Sequence, residues 1–304
     1  MGLFIGNKSQ GVHRQYVKSF IEQYDPIINI PTFVAPEIYE HNDQKLGAII
    51  SLISSNDIKG TKERIHLLYE GHPGCGKSEI MKWIAHNYPY NSCFISADPS
   101  TASLKGHGGL KDGGVKIFNR YSGGTVFIDD IELMKKTDDL RDVMESGKYN
   151  LSKGGRHEEF EAQCRIVAAT NDVNNLSWPI KSRFDLAYSF KTPDVDASIG
   201  ILQSILVNDS IKSIKDNPNI KTNFFIKYIN VTQDFYPYIN LNNKSISKIF
   251  DTIKSDGQGR SGRWLRSMVI VAKCIAKMYL SDVTDEHLLM AYEIKKQSDK
   301  VLYP

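Results

Sequence analysis

One octapeptide constrains this chain more than anything else in it: Gly71-His72-Pro73-Gly74-Cys75-Gly76-Lys77-Ser78. It fits the spacing G-x-x-x-x-G-K-[ST]. It also lies between an apolar run, IHLLYE at 65–70, and a segment of helical pattern, SEIMKWIAHNY, the strand–loop–helix context the motif requires. The glycines allow backbone N–H groups to converge on phosphate oxygens with no Cβ in the way, and the helix adds the positive end of its dipole. Lys77 is expected to reach the β- and γ-phosphates, and the Ser78 hydroxyl to complete a Mg²⁺ shell. Motif and context together disfavour the alternative, a chance glycine turn before a helix.

A phosphate loop needs a second strand that holds metal. TVFIDDIELM at 125–134 offers one, ending in Asp129-Asp130. Asp129 is expected to hold Mg²⁺ through water and Asp130 to polarise the attacking water. Glutamate is usual at that position in related folds; aspartate reaches one methylene less, and the alternative for Asp130 is a plain acid at a helix N-terminus. The apolar run ending at Asn171 suits an amide that orients a water near the γ-phosphate, against the alternative of a strand-end cap. Arg183, in Ser182-Arg183-Phe184-Asp185, stands where a guanidinium can project into a neighbouring subunit; the plain alternative is a surface salt bridge. Arg263 opens a helix in Gly262-Arg263-Trp264-Leu265.

Around these motifs the chain alternates. Apolar runs at 65–70, 93–97, 125–129, 164–170 and 186–190 are separated by helical segments, as parallel strands buried on both faces require. After Pro193 the helical period dominates. The expected organisation is an N-terminal helix with a proline-spaced extended connector over 1–35, a nucleotide-binding core over 36–194 and a helical domain over 195–304. On the helix at 262–280, Arg263, Arg266, Lys273 and Lys277 fall within one narrow face, with a solvated or intersubunit role expected for the last three. The aromatic stretch 224–239 is expected in the core and interface of the helical domain rather than as a base-stacking strip. The 304 residues carry 38 Lys+Arg against 35 Asp+Glu, a net charge of +3, which excludes a histone-like tail and an acidic disordered chain. Four scattered cysteines and the lack of a long apolar run fit a soluble cytoplasmic protein with no membrane contact.

In combination these motifs resemble the AAA+ ATPases, and within them the minichromosome maintenance (MCM) replicative helicases, over about residues 35–283. APEIYEHNDQK (35–45) is similar to the family's entry to the motor domain, which implies that Ile38 and Tyr39 lie near the adenine. MESGKYNLSKGG (144–155) resembles the approach to a presensor-1 hairpin, which makes Lys153 a DNA-contacting lysine. IKSRFDLAYSF (180–190) resembles the arginine-finger segment with Arg183 as the finger, and Ser261-Gly262-Arg263-Trp264-Leu265 the sensor-2 pattern. The sequence departs from the family at Gly76, usually alanine, at Asp130, and at Arg266, usually acidic. The helix-2 insertion is reduced to 99–114, leaving Lys105 and His107 as pore candidates. No amino-terminal DNA-binding and zinc-bearing domain or carboxy-terminal winged helix is expected, a trimming that resembles MCM-like helicases of mobile elements.

The resemblance implies a three-layer αβα AAA+ fold with a C-terminal helical lid. It further implies ATP and Mg²⁺ as cofactors, single-stranded and forked DNA as substrate, a homo-oligomeric hexameric ring in the family's manner, and a separate DNA-binding or initiator partner. Two alternatives stay open: a helicase loader or MoxR- or chelatase-type protein remodeller without unwinding, and an ATP-binding assembly module in which Asp130 is too short to catalyse.

Overall fold

A computed structural model of the chain describes residues 3–38, 40–88, 91–95, 117–134, 138–153, 156–192, 198–203, 206, 219–239, 241–257 and 259–304. In chain order its helices are α1 (Leu3–Gln23), α2 (Pro26–Asn29), α3 (Asn42–Ile53), α4 (Lys77–Asn87), α5 (Ile117–Arg120), α6 (Asp138–Ser146), α7 (Trp178–Lys181), α8 (Asn219–Gln233), α9 (Asn243–Asp256), α10 (Gly262–Met278) and α11 (Asp285–Leu302). Its strands are β1 (Leu67–Gly71), β2 (Ser92–Ile95), β3 (Thr125–Ile128), β4 (Lys148–Lys153), β5 (Arg156–Glu161), β6 (Arg165–Thr170) and β7 (Leu186–Phe190). Two compact units result, one of residues 1–54 and 194–296, the other of 55–193 and 297–304. Residues 36–54 thus group with the helical segments, whereas the sequence spacing had them open the nucleotide-binding core.

The second unit holds a five-stranded sheet in the order β2-β3-β6-β1-β7, parallel throughout. Every residue of β3 and β6 is buried, which explains the apolar runs 126–128 and 166–169 at their centres: helices leave neither face to water. On one face Leu68, Val126, Ile128, Ile166 and Ala168 pack with Val143 and Met144 of α6. Glycine is required where β1 ends. Gly71 has φ +149, and a Cβ there would lie 2.6 Å from the carbonyl oxygen of Phe190, its register partner in β7. The strands β4 and β5 form a separate antiparallel hairpin, with Lys153 opposite Arg156 at its closed end.

Buried polar groups tie this sheet to what surrounds it. Arg64 is fully buried; it binds both carboxylate oxygens of Asp57 and the carbonyls of Val143 and Cys164. His66, also fully buried, accepts the Ile166 N–H at Nδ1 (3.0 Å), so its proton sits on Nε2, donated to the Met144 carbonyl at 2.9 Å. Asp185 accepts from the His66 N–H (2.9 Å) and from Lys62 (2.8 Å). The imidazole therefore splices the end of α6 to the start of β6, and the backbone N–H of the same residue anchors the loop that carries Arg183 through Asp185.

In the helical unit Phe224 of α8 meets Phe20 of α1 at 4.7 Å between ring centroids, and Tyr16 and Phe33 at 5.5 and 5.7 Å. The aromatic stretch 224–239 divides: Phe224, Phe225 and Tyr228 are buried, whereas Tyr236 and Tyr238 are exposed. Pro26 and Pro31 correct the expected extended connector. Each occupies the first or second position of a short helical turn, where a missing N–H costs nothing. Lys277 is likewise not solvated. It is buried, and its ammonium donates to the carbonyls of Ile53 (3.1 Å) and Gln233 (3.2 Å), the last residues of α3 and α8, collecting carbonyls that helix ends leave unpaired. No helix among the described residues is long and apolar enough to cross a membrane.

Two outcomes follow for stability. Gly71→Ala forces the β1–β7 edge apart and is expected to cost about 2 kcal/mol or more, read as a lowered urea midpoint. Burial, with Lys62 and Arg64 nearby, holds the His66 pKa well below its usual value of 6.5. The folded chain thus refuses a proton that the unfolded chain accepts below about pH 6.5. Stability from this residue is complete above that pH and is lost as the pH falls below it. Thermal melts from pH 8 to 5 are expected to show that decline, reduced in His66→Gln.

Candidate functional site

Parallel strands bring their carboxyl ends to one edge, and three loops leave the sheet there. After β1 the chain turns through Gly74 (φ +82) and Gly76 (φ +97), conformations open to glycine and strained for other residues, and enters α4 at Lys77. Lys77 is buried. Its ammonium donates to the carbonyls of Gly71 and His72 (the latter at 3.0 Å) and lies 3.4 Å from Asn171 Oδ1 and 3.6 Å from Cys75 Sγ. Glu79 stands in the first turn of α4, where an acid complements the helix dipole. Pro73 fills the loop between His72 and Gly74.

After β3 come Asp129 and Asp130. The Ser78 hydroxyl donates to Asp129 Oδ1 at 2.9 Å, so the residues that close the phosphate loop and the second strand are in contact. Asp130 is in the left-handed region with φ +47, a sharp bend at the strand end. Burial, then the neighbouring charges of Asp129 and Glu132, raise its pKa above the usual aspartate value, while Asn171 and Lys77 oppose the rise. After β6 comes Asn171. Its Nδ2 donates to Asp130 Oδ1 at 3.2 Å and its backbone N–H to Glu132 Oε1 at 3.0 Å. With Oδ1 toward Lys77 and Nδ2 toward Asp130, the amide spans the two loops, and its orientation is set by those two partners.

Lys77, Ser78, Asp129, Asp130 and Asn171, named separately from the sequence, therefore form two hydrogen-bonded groups, Ser78 with Asp129 and Lys77 with Asn171 and Asp130, which are adjacent along the chain at 77–78 and at 129–130. The donor set fits Mg²⁺: a hydroxyl and a carboxylate in contact are hard oxygen ligands of the kind that ion takes, together with phosphate and water. Ser78 and Asp129 would hold it, and when bound it supplies positive charge that offsets charge developing on a phosphoryl group.

Arg183 is folded against its own chain: its guanidinium is ion-paired with Glu145 of α6 and donates to the Pro179 carbonyl, while its Nε is buried without a partner. Ile38 belongs to the helical unit, where its carbonyl accepts from Lys45 at 2.8 Å; Tyr39 lies outside the described residues. Arg263 is the second residue of α10 and is exposed, in the helical unit. Lys153 ends β4. Lys105 and His107 lie outside the described residues. Sequence reasoning passed over Glu132. The signal was there, an acid two positions past Asp130 and directly after a buried strand, but nothing local shows that it meets the end of another strand.

Residues 13–226 match the family described as MCM P-loop domain. Similar proteins include the DNA replication licensing factor mcm2 of Xenopus tropicalis, 24% identical over 87% of this chain and 36% of that protein. An uncharacterized MCM-type protein of Methanocaldococcus jannaschii is 24% identical over 89% of this chain and 45% of its own length. The licensing factor mcm7 of Xenopus tropicalis is 28% identical over 57% of this chain and 28% of that protein. The chain thus spans less than half the length of these relatives. The phosphate loop, the acid-tipped strand, the parallel sheet order and a family match over most of the chain agree: the protein belongs to the MCM P-loop domain family, with an α/β AAA+ fold.

Proposed function

We propose that this chain is the motor of an ATP-driven DNA helicase that hydrolyses ATP at subunit boundaries of a ring. The observation that carries it is the cluster at the sheet edge. Lys77 and the backbone of residues 71–78 would bind the phosphates, with His72, Pro73, Gly74, Cys75 and Gly76 forming the loop. Asp130, fixed by the Asn171 amide at 3.2 Å, would accept a proton from the attacking water. Its raised pKa makes it a better base than an exposed aspartate, in partial compensation for its short reach.

The site lacks a second positive group of its own chain beside Lys77 among the described hydrogen bonds, and Arg183 of a neighbouring subunit would supply it. For that its guanidinium must exchange Glu145 for phosphate oxygens. The planar fork suits both partners, and a trans arginine is worth about 10³ or more in rate in other phosphoryl-transfer systems. Arg263 would act as a second sensor of bound ATP, and Ile38 and Tyr39 would lie near the adenine. The β4–β5 hairpin would carry Lys153 to one strand of DNA, and the reduced insertion at 99–114 would carry Lys105, both gripping phosphates independently of sequence. The DNA replication licensing factors among the similar proteins support replication as the setting, and a hexameric homo-oligomer is the assembly proposed.

Lys77→Ala and Arg183→Ala are each expected to abolish ATP hydrolysis stimulated by single-stranded DNA, and mixing the two proteins to restore part of it, measured as phosphate release. Absence of rescue in mixed assemblies would count against a finger acting between subunits. Lys153→Ala is expected to remove the stimulation by DNA while leaving basal hydrolysis within about twofold; a rate indifferent to DNA in the wild type would point instead to a protein remodeller.

A further inference from the structure

Glu132 lies in the 3-10 turn Ile131–Leu133, two residues past Asp130. Its Oε1 accepts the backbone N–H of Asn171 at 3.0 Å, and its Oε2 is buried with no hydrogen-bond partner. Asn171 is the first residue beyond β6, whose last ladder pair is Thr170 with Glu70, so its N–H has left the sheet and Glu132 satisfies it. A buried carboxylate oxygen without a donor is unfavourable, so on that count a glutamate here does not serve stability. What it does serve is the placement of Asn171, whose amide reaches Lys77 at 3.4 Å and Asp130 at 3.2 Å. Asp130 and Glu132 thus hold Asn171 from two sides, one at the side chain and one at the main chain, and both come from the turn that follows β3.

We propose that Glu132 is a positioning residue for ATP hydrolysis: it fixes the main chain of Asn171 and thereby the amide that links Lys77 to Asp130 and orients the attacking water. This rests on the hydrolytic function proposed above. Small displacements of a positioned group lower turnover more than substrate binding, so the two are measured separately.

The experiment compares steady-state ATP hydrolysis, affinity for ATP and thermal midpoint in the wild type, Glu132→Ala, Glu132→Gln, Asn171→Ala and the double variant Glu132→Ala/Asn171→Ala. Glu132→Ala is expected to lower kcat about tenfold with KM and affinity changed less than about twofold. Glu132→Gln keeps an acceptor oxygen for the Asn171 N–H and is expected to recover at least about half of wild-type kcat. The double variant is expected to be no slower than Asn171→Ala alone, because the two act as one unit. Should Glu132→Ala not fold, Glu132→Asp, which withdraws the acceptor by one methylene, is expected to show the same loss of kcat. Multiplicative losses in the double variant, a Gln variant as slow as Ala, or a rate loss that tracks affinity and thermal midpoint would each overturn the proposal. If the wild type hydrolyses ATP and Glu132→Ala does so equally well, only the role of Glu132 falls. If the wild type does not hydrolyse ATP at all, the proposed function falls with it.

Discussion

The parallel register of β3, β6 and β1 is the constraint on which the site depends. Ile128 pairs with Ala168 and Glu70 with Thr170, so the three strands end within a few residues of one another on one edge. The residues that follow them, Gly71 with its loop, Asp129 and Asn171, arrive at that edge together. A slip of one residue would turn every side chain of a strand to the opposite face. With both faces of β3 and β6 packed, such a slip would rebuild the core on two sides at once. Close packing therefore sets the positions of polar side chains that themselves contribute little to packing.

Electrostatics then shape what that edge can do. Asp129, Asp130 and Glu132 gather around Lys77 and the Asn171 amide, and burial first, then this excess of negative charge over positive, raises the Asp130 pKa. A divalent cation is the natural counterweight in such a cluster, and the contact of Ser78 with Asp129 marks where it would sit. Arg183 offers the other sign of charge. Its ion pair with Glu145 links the proposed finger to the helix that leads directly into the β4–β5 hairpin, while Asp185 and His66 bind the same loop to the sheet.

What could be read from the sequence was what is encoded locally. All five sheet strands were visible as apolar runs, and the phosphate loop as a spacing of glycines with lysine and serine, because those features are set by two-sided burial and by backbone conformation at a few consecutive residues. Lys277 and Glu132 were hidden for a different reason. Lys277 has the helical phase of a solvated residue, and only the ends of α3 and α8, far off in sequence, show that it is buried. Glu132 looks like one more acid in an acidic run until β6 is placed beside β3. Pro26 and Pro31 were legible as punctuation but ambiguous between an extended connector and the start of a helical turn, since both suit the fixed φ of proline.

The most direct measurement of the central claim, that the edge formed by residues 71–78, Asp129 and Asn171 is a site for ATP with Mg²⁺, is equilibrium binding of a fluorescent ATP analogue across a Mg²⁺ titration. Wild type and Asp129→Asn are the two proteins to compare. Affinity that rises with Mg²⁺ in the wild type and loses that dependence in Asp129→Asn is the predicted result. Binding that is the same in Mg²⁺ and in chelator, or a Mg²⁺ dependence untouched by Asp129→Asn, would contradict it.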